Sequence, residues 1–242
     1  MDIQGIVLSI TPYKESGGIV NLLTSRGIMT FNAHGIMKID SKLAPICQLY
    51  NVINVSLTES KVSKNLTLSS GVILKDFRPI YEDLESMVTL GFIVEITKKI
   101  LDDENTQKIY ILLLKTIDAI LTKKDLKNIR LIYITQAIIL SGLKLDVDEC
   151  VRCGSTKAIL SLSYEDGGFV CKKCFDQSQD VVCGTTYIKL ARYLFISDYC
   201  EVFNKDLPDF EARKLFKDLY KFLVEQLGIQ VKSYNLLEKI IK

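Results

Sequence analysis

The chain has 242 residues, 48% hydrophobic and 25% charged, with 31 Lys and Arg against 29 Asp and Glu, a formal charge of +2. That length carries one large domain or two small ones, each with its own core, while four prolines and thirteen glycines exclude a long disordered tail or low-complexity linker. A near-neutral total gives no electrostatic case for nucleic acid by itself, and a single histidine, His34, excludes most histidine-based catalysis and metal sites.

The opening MDIQGIVLSI carries an acid at Asp2 and no basic segment ahead of an apolar stretch, which argues against a secretory signal and for a cytoplasmic product. To about residue 58 the hydrophobic period is two: Ile6, Leu8 and Ile10; Met29, Phe31 and Ala33; Ile53, Val55 and Leu57, with turns at Ser16-Gly17-Gly18 and Arg26-Gly27. About five short strands without helical crossovers predict a small antiparallel barrel over 1–80. An OB-type barrel is the commonest arrangement of that size, and an SH3-like barrel is the alternative. Basic charge gathers here, with 8 Lys and Arg against 5 acids in residues 1–80, about +3, which leaves about −1 for the rest. His34 stands at a strand end before Gly35, where a structural or surface role outweighs catalysis.

From about residue 64 the period lengthens to 3.6, as in Leu84, Met87, Val88, Phe92 and Ile96, then Tyr110, Leu113, Ile117 and Leu121, then Leu131, Ile134, Ile138 and Leu145. Polar joints at 102–105 and 123–125 separate amphipathic helices that make up an α-helical domain over 81–242. Lys, Glu or Asp interrupts every apolar run before the roughly 18 residues a bilayer span needs, so no membrane association is expected. The fold class is therefore α+β.

Within the helical part, residues 148–176 contain Cys150, Cys153, Cys171 and Cys174 in the form C-x2-C-x17-C-x2-C. In this spacing two tight turns each bring two thiolates to one ion, which predicts one structural Zn²⁺ per chain. Gly154 permits the first turn, and residues 158–164 and 169–170 read as two strands around Asp166-Gly167-Gly168, completing a zinc ribbon. Four sulfurs leave no open position for water, so the metal is not catalytic. Their net charge of about −2 needs screening, for which Arg152, Lys157, Lys172 and Lys173 are sequence neighbours. A redox pair, a disulfide switch, packed thiols and iron are the alternatives, against which two matched knuckles and a reducing compartment favour zinc. Cys47, Cys183 and Cys200 lack the spacing and read as ordinary buried thiols, with Cys183 a spare ligand in reserve. Beyond the ribbon, 187–197 and 211–227 resume helical periodicity with Gly228 as a C-cap.

No G-x-x-x-x-G-K-[ST] or G-x-G-x-x-G is present, and no acidic cluster suggests a two-metal nuclease, so the chain does not read as an enzyme.

Three segments in order resemble the RecO family of bacterial recombinational repair proteins: Gly5–Leu8 with Glu15-Ser16 and Thr24–Gly27, the ribbon with Gly167-Gly168 before Cys171, and Leu227-Gly228 with Lys232-Ser233 and Leu236-Leu237. The resemblance spans nearly the whole chain. It implies a non-enzymatic mediator that binds single- and double-stranded DNA, anneals strands coated by single-stranded-DNA-binding protein, and with RecR assists RecA loading at the nucleoid. It places DNA contacts on the barrel, at Lys14, Arg26, Lys38 and Lys42, with Arg78. In an OB barrel stacking aromatics accompany such a groove, making Tyr13 and Phe31 candidates, though Phe31 reads equally as core. After Gly35, where the family carries a denser basic run, this chain has Ile36-Met37-Lys38-Ile39-Asp40, implying modest affinity. The rival reading is a zinc-ribbon interaction protein of transcription or translation.

Overall fold

A computed structural model describes residues 1–59, 65–203 and 205–241, with the side chains at 199 and 200 outside the described set. The chain divides into two compact units, Met1–Leu84 with Leu101–Leu114, and Glu85–Ile100 with Lys115–Lys242.

The first unit is built on five strands: β1 (Asp2–Tyr13), β2 (Gly17–Thr24), β3 (Gly27–Ala33), β4 (Val52–Glu59) and β5 (Leu66–Lys75). They close in the order β1-β2-β3-β5-β4, all antiparallel except β3 with β5, which meet in parallel at Asn32 and Thr67. This is an OB-type barrel. Closure leaves no sheet edge to cover, and Val20, Leu22, Phe31, Ile53 and Val55 fill the interior.

Ile6, Leu8 and Ile10 do not share the inner face: the register with β2 slips between Val7 and Ser9, and such a bulge re-aims the side chains beyond it. Ile3 and Val7 face the core before the slip and Ile10 after it. Residues 66–75, where helical periodicity was expected, form β5 along the whole of β4, from Glu59 opposite Leu66 to Val52 opposite Lys75. A helix there would leave the ladder groups of β4 unpaired and the barrel open.

The helices are α1 (Arg78–Tyr81), α2 (Leu84–Ile100), α3 (Thr106–Leu121), α4 (Leu126–Leu140), α5 (Thr185–Ile196), α6 (Tyr199–Val202), α7 (Asp209–Leu227) and α8 (Tyr234–Ile240). In the second unit α4 is buried almost without interruption from Asn128 to Ile138, as a helix apolar all round must be. Asp125 caps its start by accepting from the Lys127 N–H. Buried Tyr133 donates to Thr97 Oγ1 at 2.6 Å, and Thr97 donates on to the Ile93 carbonyl, so neither hydroxyl is left unpaired. Leu145 lies in the loop after α4 and is buried without being helical. The sequence periodicity missed α8, whose entry Glu95 fixes by accepting from the N–H groups of Lys232 and Ser233, each at 2.9 Å. Gly228 ends α7 in the left-handed region, φ +60°, where an L side chain would be strained. No helix among the described residues is long and apolar enough to cross a membrane.

Candidate metal centre and nucleic-acid interface

Between α4 and α5 the chain folds into a three-stranded sheet of β6 (Asp146–Cys150), β7 (Ile159–Ser163) and β8 (Gly168–Cys171), in the order β6-β8-β7. The β7–β8 hairpin is the one the sequence predicts. The parallel partner β6 is not visible in any local pattern, because it pairs only at Asp146 with Gly168 and Cys150 with Phe169. Gly168 makes that approach possible, since a Cβ there would lie 2.4 Å from the Asp146 carbonyl oxygen and 2.6 Å from Val151.

Each cysteine pair closes a turn. The Cys150 carbonyl accepts from the N–H groups of Cys153 at 3.2 Å and Gly154 at 2.8 Å, and the Cys171 carbonyl accepts from Cys174 at 3.0 Å. Gly154 sits at φ +69°, the left-handed geometry the knuckle demands. The four Sγ atoms lie within 4.8 Å of one another, and Cys153 and Cys171 are 3.7 Å apart. A tetrahedron with metal–sulfur bonds of about 2.3 Å has sulfurs ~3.8 Å apart, so the residues fit a four-coordinate thiolate-binding ion.

The protonation pattern points the same way. Burial opposes ionisation of Cys150, yet hydrogen bonds from the backbone at Cys171, Arg152 and Cys153 bring its thiol down to about 6. The backbone of Cys174 lowers Cys171, whereas the Cys153 side chain, followed by burial, pushes Cys174 up to about 12. Some sulfurs are readied as anions while a neighbour resists further charge; a bound cation removes that conflict.

Arg152 differs from its expected role as a screen for the sulfurs. Its guanidinium spans Asp180, at 2.6 and 2.9 Å, and Asp166, at 2.5 and 2.9 Å, and donates to the Cys174 carbonyl at 2.6 Å. It thereby ties the second knuckle to the hairpin turn. Asp180, its side chain 1% exposed, is held below the usual carboxylate range by Arg152. Spacing gave no sign of Asp180, because the pair is formed across 28 residues. Lys157, Lys172 and Lys173 are exposed. Cys47 is a core thiol, pushed up to about 12 by burial, Cys183 is half-buried, not fully buried as expected, and the Cys200 side chain lies outside the described residues.

On the barrel, the expected cations are not one patch. Lys14 lies in the β1–β2 turn, and the connection bearing Lys38 and Lys42 is joined to that turn by the Met37 N–H donating to the Ser16 carbonyl at 3.0 Å. Arg26 lies in the β2–β3 turn, at the far end of β2. All four are exposed, and none has a carboxylate partner among the described residues. Arg78 differs: its guanidinium is paired to Asp76 at 2.5 and 2.6 Å. Phe31 is core, 1% exposed, which removes it as a stacking platform. Tyr13 is exposed, with the Lys14 ammonium 5.3 Å from its ring centroid.

Comparison with known proteins matches the family model "Recombination protein O N terminal" to residues 1–77 and "Recombination protein O C terminal" to residues 81–235. The chain is 25% identical to the DNA repair protein RecO of Halalkalibacterium halodurans over 98% of its length and 94% of that protein's. To the protein of the same description from Bacillus cereus it is 27% identical, over 99% and 97% respectively.

Proposed function

Because the chain belongs to the RecO family of recombination and DNA repair proteins, we propose that it acts as a recombination mediator without catalytic turnover. It binds single- and double-stranded DNA, anneals complementary strands coated by single-stranded-DNA-binding protein, and with RecR assists the loading of RecA at the bacterial nucleoid. The observation that carries this reading is the set of cations without an ion-pair partner among the described residues, Lys14, Arg26, Lys38 and Lys42, on an OB-type barrel. Such barrels track a strand by phosphate neutralisation and stacking. Arg78 contributes less, its charge being matched by Asp76.

In this reading the barrel domain, 1–80, holds DNA, and the helical domain, 81–242, carries the ribbon at 148–176. The break between the two family matches, after residue 77 and before residue 81, supports that division. Cys150, Cys153, Cys171 and Cys174 hold one structural Zn²⁺, whose four sulfur ligands leave no position for substrate. It locks the two knuckles against β6 and β8. The decisive assay is annealing of complementary oligonucleotides coated with single-stranded-DNA-binding protein. The protein should accelerate it, and equal rates with and without the protein would remove the mediator reading.

A further inference from the structure

Arg152 stands between Cys150 and Cys153, and all five of its guanidinium N–H groups are used. Nε and Nη2 donate to Asp166 in the β7–β8 turn, Nη1 and Nη2 to Asp180, and Nη1 to the Cys174 carbonyl. One side chain of the first knuckle thus holds the second knuckle, the hairpin turn and the connection that follows. Only a planar fork meets such a set, since a lysine offers three donors at a single point. The connection, residues 175–183, folds around Asp180, whose carboxylate also accepts from the Asp176 N–H at 2.8 Å. It then runs along β7, an edge strand of the sheet. There the Val181 carbonyl accepts from Ser161 Oγ at 2.8 Å and the Cys183 N–H donates to the Leu160 carbonyl at 2.9 Å. Little apolar contact holds it, because Val181 and Val182 are 68% and 58% exposed. The body of the ribbon is tied to the helices elsewhere. Tyr164 OH donates to Tyr187 OH at 2.9 Å, Tyr187 OH donates to Asp218 at 2.7 Å, and the Tyr164 ring lies 5.3 Å from that of Phe222.

We propose that the connection 175–183 is a strap whose attachment to β7 depends on the bound metal, with Arg152 as the positioning residue that transmits occupancy. The inference rests on the metal reading above and deepens it. An ion on Cys150 and Cys153 fixes the turn from which Arg152 reaches out. Without it that turn keeps only its backbone bonds, and the guanidinium loses the fixed direction on which all five contacts depend. The strap then leaves β7, while the tyrosine pair keeps the hairpin on α5 and α7. Gln179, Asp180, Val181 and Cys183 wall a cleft of about 370 Å³ that Lys214 and Asp218 of α7 face from the other side. Metal loss therefore opens this cleft and bares the Leu160 carbonyl on a strand edge, where unpaired backbone groups are a template for another chain.

The test is hydrogen exchange resolved to single amides on the zinc-loaded full chain, with metal content measured in parallel. Removing the ion with EDTA should speed exchange of the Cys183 amide at least about ten-fold, the factor for one charge-assisted hydrogen bond lost. The amides of the β7–β8 ladder should change less than about two-fold, since local opening there is a separate event. Arg152→Lys keeps the charge but not the fork, and in its zinc-loaded form the Cys183 amide should already exchange at the metal-free rate. Asp180→Asn lies outside both knuckles and serves where the lysine variant loses its ion: with zinc still bound, it should speed the same amide about ten-fold. Parental protection of Cys183 in zinc-loaded Asp180→Asn would overturn the strap. So would loss of protection in the strap and in the β7–β8 ladder together on chelation, which makes the ribbon one cooperative unit. In both cases the zinc reading stands. A parent chain that purifies without metal and still protects its Cys183 amide would remove the zinc and the strap together.

Discussion

Cys171→Ser removes one of four sulfurs while leaving the backbone bonds of both knuckles in place. Metal content, measured on the purified protein, should fall from about one zinc per chain, and the melting temperature should drop before any change in DNA affinity, because ion binding here is coupled to folding. Unchanged melting in a metal-free parent protein would refute the site. Asp180 carries a pH signature. Its carboxyl is held low by Arg152, so its contribution to stability is present above the unfolded carboxylate value near 3.9 and is lost as pH falls through the lower folded value. Asp180→Asn should therefore destabilise the protein at neutral pH and flatten its acid-unfolding limb. Tyr133→Phe strips the donor from the buried Thr97 pair and should cost about 1 kcal/mol in urea unfolding.

Elements differ in how far local pattern reveals them. Period-two runs located β3 and β4, and period-3.6 runs located α2, α3, α4, α5 and α7, because apolar residues recur there at the element's own period. β1 defeats that logic through its bulge, whose slip between Val7 and Ser9 exists only with respect to β2. β5 and β6 are decided by their partners too: β5 by the need to close the barrel, β6 by two bridges to β8. Gly168→Ala tests the second case. Its methyl would enter the space of the Asp146 carbonyl, forcing the strands apart at about 1–3 kcal/mol in chemical unfolding. Ala at Gly184, where nothing lies within 4 Å of a Cβ, should be tolerated. α8 went unseen because it is seven residues long and takes its first hydrogen bonds from Glu95, more than 130 residues earlier.

For the whole molecule, the pairing of charges matters more than their sum. If Lys14, Arg26, Lys38 and Lys42, without ion-pair partners among the described residues, each meet one phosphate, log affinity for single-stranded DNA should fall with log salt at a slope of about −3, at roughly 0.7 per phosphate. A slope near that of ten contacts would show that other surfaces bind. The four-cysteine cluster was legible from sequence by itself, since two knuckles are local and their spacing brings the sulfurs together, and so was the succession of barrel, bundle and ribbon, since periodicity records which faces are buried. Only the tertiary structure decided which charges are free to act. It paired Arg152 with Asp166 and Asp180 and Arg78 with Asp76, buried Phe31, and brought Lys14, His34 and Lys38 to one end of the barrel while leaving Arg26 at the other. An ion pair or a cleft depends on distances between residues far apart in the chain, and those distances are set by strand register and closure.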